Sequence, residues 1–181
     1  AMWETAKYLC KSIQGCKIAY VQSDEISLLL TDYDNIESCA WFDNNIQKMV
    51  SISASMATLA FNRAFRDSVH ILGHAANTED ARKYFDILEQ KIDKAMFDSR
   101  VFTLPKEEVN NYFIWRQNDA SRNSVQMVGR TYFSHKQLNN KSGNEIQEML
   151  FQEKGVNWGN LPTYQKRGAC VVKEKYELNN D

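Results

Sequence analysis

Asp24 and Glu25 stand between two apolar runs, residues 16–22 and 26–31, with no Gly or Pro at the join. Runs of this length and content read as strands, so Ser23-Asp24-Glu25 becomes the turn of a hairpin. Carboxylates held at a strand turn by a rigid sheet can offer oxygen ligands to Mg²⁺. That ion takes one or two carboxylates and fills its remaining positions with substrate phosphates and water. Two such ions can clamp the attacking and leaving oxygens of a phosphoryl transfer. The same three residues also make a plain polar turn, because Ser and Asp side chains hydrogen-bond their own backbone.

Other residues offer weaker chemistry. Lys48 follows the hairpin on a predicted helix, where an ammonium is either a point charge for phosphate or a solvated surface position. Arg116, Arg122 and Arg130 run along a second helical region with few acids nearby. They form the best candidate RNA patch, and a solvated face has the same pattern. His70 and His74 are four apart, but Gly73 lies between them and the chain has 3 His in all, which leaves no evident third zinc ligand. Tyr112, Phe113, Trp115 and Phe133 follow helical spacing and read as core rather than as a base-stacking platform. No Ser-His-Asp arrangement, P-loop or dinucleotide fingerprint is visible.

The elements that must position these groups follow from periodicity. Residues 1–13 read as a helix with Trp3, Ala6, Cys10 and Ile13 on one stripe, ended by Gln14-Gly15. Asp43 is the expected cap of a helix reaching about Arg66, whose middle, "SISASMATLA", is rich in small residues and admits another backbone closely. "VHILGHAAN" reads as a loop, and Thr78 as the cap of a helix to about Lys94. "FDSRVFTLP", residues 97–105, is the expected third strand. Helix follows Pro105, with a break, to about Phe133. A further helix covers 142–153, "GVNWGNLP" is a loop, and residues 168–173 form a last strand. The fold class is α+β, a small antiparallel sheet with helices followed by a mainly helical half, divided at 1–104 and 105–181.

Composition narrows the class. With 181 residues, 43% hydrophobic and 25% charged, the chain has the make-up of a globular protein with a real core. A net charge of −1 means that any nucleic-acid surface must be local. Cys10, Cys16, Cys39 and Cys170 have neither zinc nor disulfide-framework spacing, which predicts reduced thiols and a cytoplasmic location. No apolar run approaches the ~18 residues of a membrane span.

Five ordered motifs then carry a resemblance. "YVQSDEISLLL" is similar to the signature Y-x-Q-S-D-E-x-S of the histidine-tRNA guanylyltransferase family, whose members add nucleotides in the 3′-to-5′ direction. "WFDNNIQKMVSISASMATLAF" resembles that family's Trp-Phe segment and following helix, and "FDSRVF" its Phe-Asp-x-Arg strand. "NYFIWRQNDASRNS" resembles its Tyr-(x)₂-Trp-Arg-Gln-x-Asp segment, with "EMLFQEKGVNW" and "YQKRG" after it in order. The match spans nearly the whole chain. It implies a polymerase-palm, ferredoxin-like catalytic domain in which Asp24 is a metal ligand with Ser23 and Glu25 beside it. Lys48 falls where the family has a triphosphate-contacting lysine, and Arg116 and Asn123 fall at its RNA- or nucleotide-contacting positions. Two Mg²⁺ ions, ATP or GTP as substrates, tRNA as acceptor and a homotetramer are implied with them.

Three departures refine that expectation. The family's Arg-x-Asp-Gly segment and first palm strand have no counterpart, so the chain is expected to lack upstream residues that an active enzyme needs. Ser121-Arg122-Asn123-Ser124 stands where eukaryotic members have His-Ile-Asn-Asn, and Asn45 where they have Arg. These changes resemble the bacterial branch, which implies template-directed repair of 5′-truncated tRNA. Dedicated addition of one G to histidine tRNA, a palm-fold nucleotide cyclase and a non-catalytic tRNA-binding module are the alternatives.

Overall fold

The computed structural model describes residues 1–174. Three strands, β1 (Cys16–Gln22), β2 (Glu25–Leu30) and β3 (Ala169–Val172), pair antiparallel in the order β2-β1-β3. The helices are α1 (Met2–Ser12), α2 (Ile46–Ala75), α3 (Glu79–Glu89), α4 (Val109–Tyr132), α5 (His135–Leu138), α6 (Gly143–Lys154) and α7 (Thr163–Arg167). The described chain divides into two compact units. The first takes residues 1–19, 26–103 and 170–174, and the second takes residues 20–25 and 104–169.

The first unit is built on α1, α2 and α3. Ala6, Leu9, Cys10 and Ile13 repeat at i, i+3, i+4 and i+7, and all are buried. Trp3, expected on that stripe, lies at its exposed edge. α1 packs on α2, which buries Met49, Ala57 and Val69. α3 packs on the C-terminal part of α2 at Gly73, where an added Cβ would fall 2.5 Å from the Phe85 ring. All four cysteines are free thiols. Burial, then the neighbouring Cys10, pushes the Cys16 thiol up to about 12, which keeps it protonated and inert.

Several expectations change here. α2 starts at Ile46 and is capped by Asn45, whose side chain accepts the Lys48 N–H at 3.1 Å. Asp43 cannot cap it, because Asp43 sits two residues earlier in the left-handed region with φ 51°. The helix runs on to Ala75 through the stretch read as a loop, because "VHILGHA" contains no breaker other than Gly73, and α3 packs over that glycine. α3 ends at Glu89 rather than near Lys94. Residues 97–105 form no strand. The start of this segment and Ala95 just before it bond instead to side chains of α2. The Phe97 N–H donates to Thr58 Oγ1 at 3.0 Å, and Asn62 brackets Ala95 through both its N–H and its C=O. Ser53 Oγ meets Ser99 Oγ at 2.7 Å. The small residues of α2 thus admit a backbone of the same unit.

The second unit is organised by α4, a single unbroken helix where a break was expected. α5, α6 and α7 pack on it around Val125, Phe133, Leu138, Ile146 and Leu150. Ser142 and Glu145 form a reciprocal capping box at the start of α6. The Ser142 N–H, then its hydroxyl and Lys141, hold the Glu145 carboxyl down to about 2. Trp158 donates its indole N–H to Ser124 Oγ at 3.0 Å, fixing the segment between α6 and α7 to α4. Gly168, at φ 74°, leads into β3 where an added Cβ would meet Val21 O at 2.4 Å, so only glycine fits.

Candidate functional site

The second unit carries the acidic hairpin turn. β1 ends at Gln22 and β2 begins at Glu25, leaving Ser23-Asp24 as a two-residue turn. Ser23 has φ 47°, the positive value that a tight hairpin needs at its first turn residue and that glycine usually supplies. Its hydroxyl donates to Met127 Sδ at 3.9 Å.

The two carboxylates have different surroundings. Glu25 accepts from Gln22 Nε2 at 2.8 Å and forms an ion pair with Arg116. Asp24 is exposed, and no hydrogen bond or ion pair ties its carboxylate to another described residue. It is therefore a free hard-oxygen donor, which fits one of the one or two carboxylates that Mg²⁺ takes. No group of three His, Cys, Asp or Glu among the described residues could enclose an ion alone. Substrate phosphates and water would have to complete its shell.

α4 supplies the wall beside this turn. Its positions 116, 119, 123, 127 and 130 follow one helical stripe. The Arg116 side chain is only 11% exposed, lies against the Trp115 ring at 4.7 Å and reaches Asp119 at 3.6 Å. Asp119 also accepts from Asn123 Nδ2 at 3.2 Å and lies 3.9 Å from Arg122. Arg122, Asn123 and Arg130 are exposed. Of the aromatic set read as core, Phe133 is buried, whereas Trp115 is 54% exposed under the Arg116 guanidinium.

Asn45 and Lys48 belong to the first unit. Both are exposed on the first turn of α2, Asn45 with its side-chain oxygen engaged as the cap. The Lys48 ammonium lies 6.0 Å from the centre of the Phe42 ring. Phe42, Asp43 and Asn44 precede them with φ 54°, 51° and 57°, three consecutive left-handed residues with no glycine among them. His70 and His74 share a face of α2, both exposed.

Reading the sequence by residue type missed Gln22 and Asp119. Both lie inside the quoted motifs. Gln22 shares one face of β1 with Tyr20, and Asp119 is one helical turn from Arg116. Those spacings were the available signal. The left-handed run at 42–44 had only a weak signal, because "FDN" carries no glycine and Asp and Asn enter that region as single residues.

The family model for Thg1, tRNAHis guanylyltransferase, matches residues 1–105. The structure of a bacterial tRNA(His) guanylyltransferase (Thg1)-like protein in complex with ATP superposes with TM-score 0.81 and 46% identity, covering 96% of this chain and 67% of that one. A structure of such a protein in complex with GTP gives TM-score 0.67 and 41% identity, covering 99% of this chain and 64% of that one. Among curated proteins, the tRNA(His) guanylyltransferase of Debaryomyces hansenii is 28% identical over 96% of this chain and 62% of its own length. The chain spans less than two thirds of the length of the curated relatives it matches first. No helix among the described residues is long and apolar enough to cross a membrane.

Proposed function

The chain belongs to the tRNA(His) guanylyltransferase family, and from that premise we propose that the whole protein is a Mg²⁺-dependent nucleotidyltransferase extending the 5′ end of tRNA in the 3′-to-5′ direction. The observation that carries the reading is the Asp24 carboxylate, exposed and without a partner among the described residues, on a turn whose neighbouring residues are tied down. The ATP and GTP complexes of the bacterial relatives support nucleoside triphosphates as substrates. Template-directed repair of 5′-truncated tRNA is favoured over single G addition. Ser121 to Ser124 and Asn45 depart from the residues that the resemblance leads one to expect in the eukaryotic branch, which supports a reading without selection of one tRNA. The palm-like catalytic part then lies in residues 1–104, the mainly helical part begins at residue 105, and the intact protein works as a cytoplasmic homotetramer.

In this mechanism the tRNA 5′-monophosphate attacks the α-phosphorus of ATP or GTP with loss of pyrophosphate, and the 3′-hydroxyl of the incoming nucleotide then attacks the activated 5′-phosphorus, displacing the nucleoside monophosphate. Asp24 would hold one ion, with Ser23 and Glu25 flanking it. The ions would spread charge off the transferring phosphoryl group and align the attack. Lys48 gives the triphosphate a counter-charge, with Asn45 beside it, and needs no fixed partner of its own. Arg122, Asn123 and Arg130 offer an exposed polar strip to the RNA, with Arg116 beneath it. No protein nucleophile is required.

The test uses the full-length protein and three tRNAs, histidine and two others, each lacking its first nucleotide. Repair predicts extension of all three, with the added nucleotide set by the opposing base, because pairing carries the sequence information. Strong preference for histidine tRNA, with G added whatever the template, would replace repair by dedicated guanylylation.

A further inference from the structure

Three side-chain ties surround Asp24, and all lead to one helix or to one another. Gln22, the last residue of β1, donates to Glu25, the first of β2, at 2.8 Å, so the two ends of the turn are joined across Ser23-Asp24. Glu25 is held in turn by Arg116. Ser23, in its left-handed conformation, reaches Met127 at 3.9 Å, three turns further along the same helix. Arg116 is itself fixed by the Trp115 ring at 4.7 Å and by Asp119 at 3.6 Å, and is 11% exposed.

We infer that Arg116 is a positioning residue. It holds Glu25, and through Glu25 the turn that aims Asp24, and it does not itself contact RNA. A guanidinium suits this task because its planar fork can serve two carboxylates at once, which a lysine ammonium on a flexible stem does poorly. The ties fix the backbone that carries Asp24, which is part of the support a metal ligand needs. The role given to Asp24 rests on the function proposed above. The Arg116–Glu25 link does not.

The experiment compares the full-length parent protein with Arg116→Gln, Arg116→Lys, Glu25→Gln and the double variant Arg116→Gln/Glu25→Gln. Amide hydrogen exchange is read in residues 20–26 and in α6, tRNA affinity at several salt concentrations, and 5′ nucleotide addition in single turnover. In Arg116→Gln, exchange in 20–26 should rise by about tenfold or more while α6 stays protected, the signature of local rather than global opening. The addition rate should fall by roughly 10–100-fold, as when residues that orient a metal ligand are lost. Affinity for tRNA should stay within about threefold and its salt dependence should not change, because no phosphate contact is lost.

The double variant should be no worse than the poorer single, since both changes cut one link. Arg116→Lys keeps the charge and should not rescue the rate. If Arg116→Gln exposes α6, Arg116→Lys supplies the same exchange and salt readouts in a folded protein. Unchanged exchange at 20–26, with weaker tRNA binding and a salt slope reduced by about 1, would make Arg116 a phosphate contact and overturn the inference. If the parent protein extends no tRNA, the proposed function fails, and the exchange measurement still decides whether Arg116 holds the turn.

Discussion

The acidic turn of the second unit and the approach to α2 in the first unit both hold residues in the left-handed region, but in opposite settings. Ser23 is a single left-handed residue, and the residues on either side of the turn are joined to each other and to α4. Phe42, Asp43 and Asn44 are three such residues in succession, all exposed. Left-handed backbone costs an L-residue roughly 1–2 kcal/mol. Few interactions offset that cost at 42–44. Asn44 donates to Asp32 at 3.2 Å, the Phe42 ring lies tilted against Trp41 with centroids 4.8 Å apart, and Asn45 N–H closes back on Phe42 O at 2.9 Å. The charged group each region presents differs accordingly. Asp24 rides on a braced turn, whereas Lys48 has only a ring at 6.0 Å. A braced turn fixes a direction for a metal ligand, and an exposed lysine keeps the rotamer freedom to follow a phosphate.

Breaking the first region should give the largest effect. Asp24→Ala in the full-length protein should abolish addition to a truncated tRNA while leaving stability within about 0.5 kcal/mol, because the side chain is exposed and bonded to no described residue. Undiminished addition by a folded variant would remove Asp24 from the mechanism. The second region should respond in binding. Lys48→Ala should raise the apparent nucleotide KM by roughly tenfold, the worth of one charge-assisted contact to phosphate, with tRNA affinity within a few-fold. Loss of tRNA binding with unchanged nucleotide kinetics would reverse that assignment. The smallest effect tests strain. Asp43→Gly should stabilise the protein by about 0.5–1 kcal/mol in thermal or urea unfolding, since glycine adopts φ 51° without steric cost and gives back part of the gain as unfolded-state entropy. A destabilised variant would mean that the Asp43 side chain contributes more than its backbone costs.

Much of this frame was legible in the residues. The stripe Ala6, Cys10, Ile13 announced α1, and both strands of the acidic hairpin lie within a residue of where their apolar runs end. Thr78 caps α3 as expected, accepting from the Ala81 N–H at 3.2 Å. Residues 97–105 misled because strand-like composition says only that a segment suits extended backbone, not which partner will accept its hydrogen bonds. Thr58 of α2 accepts the Phe97 N–H, Asn62 holds Ala95 just before the segment, Ser53 meets the Ser99 hydroxyl, and no local pattern joins residues 33 to 46 positions apart. The C-terminal end of α2 was lost to the breaker rule at Gly73, which local propensity reads as a stop and α3 uses as a packing site.

Local sequence by itself determined where the acidic turn lies, because apolar alternation and turn residues act over a few positions and need no distant partner. It also placed Arg116, Asp119 and Asn123 on one helix face, since 3.6 residues per turn leaves no other choice. Only the tertiary structure decided that Glu25 is bound while Asp24 has no partner among the described residues. The two residues have the same chemistry and adjacent positions, so nothing local distinguishes them. A buried guanidinium 91 positions along the chain does, because a charge withdrawn from water must find its counter-charge in three dimensions.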